Sequence, residues 1–188
     1  MAHHGLTGVL LVGGASSRFG SPKALAQYEG TTLADRAWAL LGEVADERIA
    51  VGKRADRLSL PFPITDDGTD VRAPIAGVVA GLRAASNDLC VVLPVDLPHA
   101  TPGLLRRLAT ACADAAVVQT GPLPGAYRRT ALPTLERRLT AGELKLRDAV
   151  AELRVTTIEA DERELVNVNY STEISRSMPS PLWPGTEQ

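Results

Sequence analysis

Residues 10–25, LLVGGASSRFGSPKAL, set two consecutive glycines, Gly13 and Gly14, behind an apolar run and follow them with Arg18, Gly20 and Lys23. Glycines let backbone N–H groups approach an anion with no side chain in the way, and an arginine and a lysine bring positive charge to the same anion. The stretch reads either as a phosphate-binding loop or as a glycine turn carrying two solvent-facing bases. It matches neither common phosphate loop. The G-x-x-x-x-G-K-[ST] pattern needs lysine directly after glycine, but Ser21 and Pro22 separate Gly20 from Lys23, and Ala24 is no hydroxyl. Glycines at 13, 14 and 20 also miss the G-x-G-x-x-G spacing of dinucleotide sites. Pro22 opposes the helix that both motifs start straight after the loop.

Carboxylates supply the complementary chemistry. Asp96, in VVLPVDLPHAT, follows a strongly apolar run and lies between Pro94 and Pro98, which stiffen its turn. A carboxylate there can hold Mg²⁺, a hard cation that takes oxygen ligands and offsets phosphate charge; the plainer alternative is a loop or helix-capping aspartate. Asp66, Asp67 and Asp70, in PITDDGTDVRAPIAG, either face the same site or form an acidic surface loop. Asn167 and Asn169, in VNVNYSTEI, alternate so that both side chains share one strand face, or else are turn residues before a helix. No Ser/His or Cys/His pair has a catalytic context, which favours positioning and charge neutralisation over a protein nucleophile.

These residues need elements to bring them together. Apolar runs predict strands over 6–12, 48–51, 62–65, 89–93 and 115–119. Helical spacing predicts a helix capped by Thr31 or Thr32, one from Pro74 to about Ala85, and one opened by Thr101-Pro102 and running to about residue 113. Two further helical patterns cover 132–139 and 144–153, VTTIEA suggests an edge strand, and STEISRS a short closing helix. Alternating strands and helices imply right-handed βαβ units, hence an α/β fold with a mostly parallel sheet and helices on both faces. Such sheets bind ligands beyond the C-terminal ends of their strands, where Gly13, Asp66 and Asp96 fall.

Composition sets the boundaries. The chain has 188 residues, 45% of them hydrophobic, enough for one domain with a real core. The expected division is a single domain over 1–178, its nucleotide-binding part about 6–120 and its acceptor-binding part about 121–178, then a loose tail over 179–188. With 22 acidic against 20 basic residues and no long basic run, nucleic acid is not an expected partner. No run reaches the roughly 20 apolar residues of a membrane helix, so no membrane partner is expected either. Cys90 and Cys112 match no metal or redox spacing and read as buried free thiols, which fits a reducing, cytoplasmic setting. His3 and His4 read as part of a loose terminus.

Leu11, Val12, Gly13, Gly14, Arg18, Gly20 and Lys23 together resemble L-x-G-G-x-S-x-R-x-G-x-x-K, the signature loop of nucleotidyltransferases that join a nucleotide to a phosphorylated acceptor. The chain resembles the molybdenum cofactor guanylyltransferase (MobA-like) branch of that family from Gly8 to Ile174. The glycine doublet resembles the guanylyl-transferring branch rather than the cytidylyl branch with its L-A-A-G, and leaves room for the purine's exocyclic group. Val12 replaces the usual alanine. The resemblance implies a three-layer, Rossmann-like nucleotidyltransferase fold. It implies a nucleotide site of Leu11, Val12, Gly13, Gly14, Lys23, Asp66 and Asp96, with Asp96 the Mg²⁺ ligand in the family's P-x-D-x-P, and Arg18, Lys23 and Asp96 catalytic. PIAG at 74–77 resembles the family's G-P-L-A-G, whereas Gly52 and Lys53 stand where the family often carries an asparagine near the base. LPGAYRR resembles the segment that returns a strand toward the acceptor, AGELKLRDAV a helix start with a basic residue near it, and VNVNYSTEI the family's N-V-N-T-P-E-D-L. Asn167 and Asn169 would then bind the acceptor, their amides suiting a pterin.

The implied reaction moves GMP from GTP to the phosphate of molybdopterin or molybdenum cofactor and releases pyrophosphate. The implied partners are those two substrates and other proteins of cofactor biosynthesis or molybdoenzyme maturation, and the implied state is a monomer. The alternatives are CTP:molybdopterin or sugar-phosphate nucleotidyl transfer, or a nucleotide-binding regulator without catalysis.

Overall fold

The computed structural model describes residues 5–13 and 22–167; Gly14, Arg18, Asn169, the expected closing helix over 171–177 and the 179–188 tail lie outside them. Strand β1 (Leu6–Leu11) is the first apolar run and is almost wholly buried. Pro22 then stands extended and Lys23–Leu25 makes a single 3-10 turn, so no α-helix follows the loop directly. A two-residue hairpin, β2 (Gln27–Tyr28) with β3 (Thr31–Thr32), leads into helix α1 (Leu33–Gly42). Thr32 caps α1, its Oγ1 accepting the Asp35 N–H at 3.0 Å. The hairpin was not expected, because two-residue strands carry no period.

The rest follows the expected order: β4 (Glu47–Gly52), β5 (Ile64–Asp66), α2 (Pro74–Ala84), β6 (Leu89–Pro94) and α3 (Pro102–Ala111). Then come β7 (Ala115–Val118), β8 (Gly121–Arg128), α4 (Leu132–Thr140), α5 (Leu146–Val150) and β9 (Val155–Ile158). Two of the departures from prediction have a visible cause. Phe62 precedes β5 and stacks on Trp38, ring centroids 4.1 Å apart, rather than joining the strand. Helix α5 covers only the middle of 144–153 because Lys145 is extended; Leu144 and Leu153 still pack on the core from the flanking turns.

The seven-stranded sheet has the order β5-β4-β1-β6-β8-β7-β9. Within it, β8 alone runs against its neighbours, pairing antiparallel with both β6 and β7. Alternation along β1 divides the core. Leu10 packs with Leu33, Leu41, Leu104 and Leu108 of α1 and α3, while Val9 and Leu11 pack with Ile75, Val78 and Leu82 of α2 and with Leu135 of α4. The result is three layers, with α1 and α3 on one face and α2, α4 and α5 on the other. Helix α2 lies very close to the sheet: a Cβ on Gly81 would stand 2.5 Å from Val9 Cγ1, and one on Gly77 2.8 Å from Leu11 Cδ2. The small residues of PIAGVVAGL are therefore a packing requirement.

Two contacts on the β8 side carry measurable stability. Fully buried Tyr127 donates its hydroxyl to Pro122 O at 2.6 Å. Tyr127→Phe leaves that carbonyl without its partner and is expected to cost about 1–2 kcal/mol in urea denaturation. Asp114 takes Arg154 Nε at 2.7 Å and Nη2 at 2.8 Å, plus the Thr130 hydroxyl at 2.8 Å. The Arg154 hydrogen bond first, then Thr130, hold its carboxyl well below the usual carboxylate range. Its folded value lies below its unfolded one, so the stabilisation is present above about pH 4 and fades as pH falls toward the folded value. Asp114→Asn is expected to melt lower than the native protein at about pH 7, with the gap closing toward about pH 3, as thermal denaturation across that range would register.

Candidate active site

The central parallel strands end side by side, and their ladder continues one residue further. Val12 N–H donates to Val51 O at 3.0 Å, Val95 N–H to Leu11 O at 3.1 Å, and Asp67 N–H to Gly52 O at 3.1 Å. Gly13, Gly52, Asp67 and Asp96 are thereby set along the C-terminal edge of the sheet. A cavity of about 830 Å³ opens there. Leu11, Val51, Pro74 and Gly77 give it an apolar lining between two polar ends. Lys23 and Asp96 mark one end beside β6; Lys53, Asp56, Asp67 and Arg72 mark the other beside β4 and β5. Three strand spacings separate β5 from β6, roughly 14 Å.

At the β6 end, Lys23 Nζ lies 3.3 Å from Asp96 Oδ2, with the side chains 25% and 20% exposed. The turn that presents Asp96 is anchored by buried Val95 and Leu97 on either side, and by Arg36 Nε of α1, which donates to Pro98 O at 2.8 Å. The Tyr28 hydroxyl of the small hairpin meets His99 Nε2 at 2.9 Å and braces the same turn. Among the described residues Asp96 Oδ1 accepts no hydrogen bond, and no group of three His, Cys, Asp or Glu side chains forms a closed metal cage. One partly exposed carboxylate beside a cavity fits a hard cation that draws its remaining ligands from water and phosphate.

The other end differs from expectation in one residue. Asp66 does not line the cavity. Its Oδ2 accepts the Arg54 N–H at 2.6 Å and its Oδ1 the Gly68 N–H at 2.8 Å, so it closes the turn behind β5. Those two hydrogen bonds, Arg54 first, hold it below the ordinary carboxylate range. Asp67 lines the cavity instead, with Lys53 Nζ 2.8 Å from each carboxylate oxygen. Lys53 Nζ also donates to Thr69 O at 2.5 Å, fixing the segment between β5 and α2.

The structure brings Leu11, Val12, Gly13, Lys23 and Asp96 to one cavity. Among the described residues a Cβ on Gly13 would meet only Gly52 Cα at 3.7 Å and Asp56 Oδ2 at 4.0 Å, so the space this glycine keeps open belongs to the cavity. Gly52 is different: a Cβ there would press on Val12 Cγ2 at 2.9 Å, which explains why no amide occupies this position. Asn167 is exposed, follows the Glu162–Leu165 turn and does not line the cavity. Leu123, in contrast, reaches the cavity from the start of β8. Burial pushes the Cys90 thiol up to about 12 and the Cys112 thiol up to about 11, so neither offers a thiolate near neutral pH. Sequence reasoning named Asp67 beside Asp66 without choosing it, noted Lys53 only as a departure from the family, and missed Asp56 and Arg72; the available signal for Lys53, Asp56 and Asp67 was their position just past the ends of β4 and β5.

The chain has relatives. Residues 8–157 match the MobA-like NTP transferase domain. The chain belongs to that family. The molybdenum cofactor guanylyltransferase of Burkholderia ambifaria (strain MC40-6) is 35% identical over 192 residues, covering 90% of this chain and 94% of that protein. The fold matches molybdopterin-guanine dinucleotide biosynthesis protein A from Archaeoglobus fulgidus with a TM-score of 0.76 at 24% identity, over 90% of this chain and 95% of that one. A Mycobacterium tuberculosis protein solved in complex with manganese shares the fold, with a TM-score of 0.58 at 22% identity over 84% of this chain and 89% of that one. In this MobA-like chain, as the motifs implied, the sheet is mostly parallel and carries Gly13 and the Asp96 turn on one edge. Among the described residues no helix is long and apolar enough to cross a membrane.

Proposed function

We propose that this protein transfers GMP from GTP to the terminal phosphate of molybdopterin or molybdenum cofactor, forming a guanine dinucleotide cofactor and pyrophosphate. The observation that carries the reading is the Lys23–Asp96 pair at the strand-end cavity of a MobA-like fold. The name of the Burkholderia relative supports guanine and the molybdenum cofactor as the substrates.

An oxygen of the acceptor phosphate attacks the α-phosphorus of GTP. That bond forms as the bond from the α-phosphorus to the pyrophosphate oxygen breaks. The attacking oxygen is already anionic, so no strong base is required; positioning and charge neutralisation do the catalysis. Lys23 places its ammonium where the phosphates would lie, and Arg18 of the signature loop adds a second charge. Asp96 would hold Mg²⁺, which would offset phosphate charge there. Gly13 and Gly14 leave space for the base, Asp66 stiffens the turn behind β5, and Asn167 and Asn169 are the side chains proposed to meet the acceptor. We take the enzyme to be a single-domain cytoplasmic monomer that meets other proteins of cofactor biosynthesis or molybdoenzyme maturation.

Mass spectrometry of the product from GTP, molybdopterin and Mg²⁺ tests the reading. The expected mass is that of the guanine dinucleotide, with pyrophosphate released faster from GTP than from CTP, ATP or UTP. A preference for CTP, or GTP binding with no product, would overturn it.

A further inference from the structure

Among the described residues three carboxylates line the cavity, and two of them face a lysine: Asp96 with Lys23, and Asp67 with Lys53. Asp56 is placed differently. It ends the 3-10 turn Arg54–Asp56 that follows β4, and its side chain is 18% exposed. Its Oδ1 takes Arg72 Nη2 at 2.7 Å, which holds that oxygen toward Arg72. Among the described residues its Oδ2 accepts no hydrogen bond, and it lies 4.0 Å from the point where a Cβ on Gly13 would stand. An acceptor oxygen thus borders the space that Gly13 keeps open, at the end of the cavity away from Lys23 and Asp96.

We propose that Asp56 is the base-specificity residue of this site, accepting the N1–H and N2–H donors of guanine. The proposal rests on the GTP reading above. Guanine alone of the four bases shows two adjacent donors on its pairing edge, and a carboxylate is an acceptor-only partner for both. Adenine turns its N1 acceptor toward that position, cytosine its N3 acceptor, and uracil one N–H between two carbonyl oxygens. Each sets a lone pair against the carboxylate, so the same group that attracts guanine repels the others. The layout agrees: with phosphates between Lys23 and Asp96 beside β6, the base extends across β1 to the wall beyond β4.

The test compares GTP with inosine triphosphate, which keeps N1–H and lacks the 2-amino group. For the full-length protein, kcat/KM in GMP or IMP transfer and the dissociation constant of each nucleotide are measured. Loss of one charge-assisted hydrogen bond should make the native enzyme prefer GTP by roughly 10-fold or more. Asp56→Ala should weaken GTP far more than inosine triphosphate and bring their ratio to within about twofold, with Asp56→Asn in between. A residue that only held Arg72 would weaken both nucleotides equally and leave the ratio unchanged; that result overturns the proposal. Equal use of both nucleotides by the native enzyme overturns it too, while leaving guanylyl transfer standing. A native preference for a triphosphate other than GTP overturns both.

Discussion

Asp96→Ala, supplied with GTP, molybdopterin and Mg²⁺, is expected to release pyrophosphate about a thousandfold more slowly than the native protein. The substitution removes the carboxylate that faces Lys23 at 3.3 Å and with it the proposed protein ligand for Mg²⁺. Charge building on the α-phosphoryl oxygens and on the departing pyrophosphate then loses its fixed counter-charge. The fold should survive, because the turn is held by buried Val95 and Leu97 and by the Arg36 bond to Pro98, not by the Asp96 side chain. Binding should separate from turnover. Without Mg²⁺ the variant keeps Lys23 but no longer sets a carboxylate against the nucleotide phosphates, so GTP should bind at least as tightly as to the native protein. Its turnover should rise with Mg²⁺ only at concentrations well above those that saturate the native enzyme. Turnover within about fivefold of native, with an unchanged Mg²⁺ profile, would remove Asp96 from the metal role.

The strand ends were legible in the sequence because buried parallel strands are continuous apolar runs, and the residues just past each run must meet the ligand edge. That logic places Gly13 and Asp96 without coordinates. Proline punctuation was equally informative: Pro74 and Pro102 begin α2 and α3 where predicted, and only a single 3-10 turn, no α-helix, comes directly after Pro22. Consecutive aspartates defeat such reasoning. Asp66 and Asp67 differ by one position at a strand end, and which carboxylate enters the cavity depends on partners distant in sequence. The Arg54 N–H draws Asp66 aside, while Lys53 draws Asp67 in. Asp56 was hidden for a related reason, since a three-residue 3-10 turn after β4 has no periodicity to announce it. The C-terminal motifs resemble the family's, yet Asn167 is exposed and outside the cavity lining, and Asn169 lies outside the described residues.

Lys53→Met is expected to destabilise the protein by about 3 kcal/mol, the cost of leaving a buried ion with its partner removed. The Lys53 and Asp67 side chains are only 10% and 8% exposed. In the native chain Nζ donates to both Asp67 oxygens and to Thr69 O, and among the described residues the Asp67 carboxylate otherwise accepts only the Thr69 N–H at 3.2 Å. Methionine nearly matches the stem in length but donates nothing, so a carboxylate with little access to water loses its counter-ion. Replacing both partners, in Lys53→Met with Asp67→Leu, removes the stranded charge and should restore stability to within about 1 kcal/mol of native in urea denaturation. Nucleotide affinity should not return with it. Lys53 tethers Thr69, and the segment from Asp67 to Ala73 forms the cavity wall that the base would contact. The paired variant should therefore be as stable as native and still bind GTP several-fold more weakly. If Lys53→Met costs less than about 1 kcal/mol, the pair is a solvated surface contact; if the double variant binds GTP normally, the wall holds its shape without the pair. The combination expected here, stability regained and affinity not, would mark this buried pair as serving the site more than the fold.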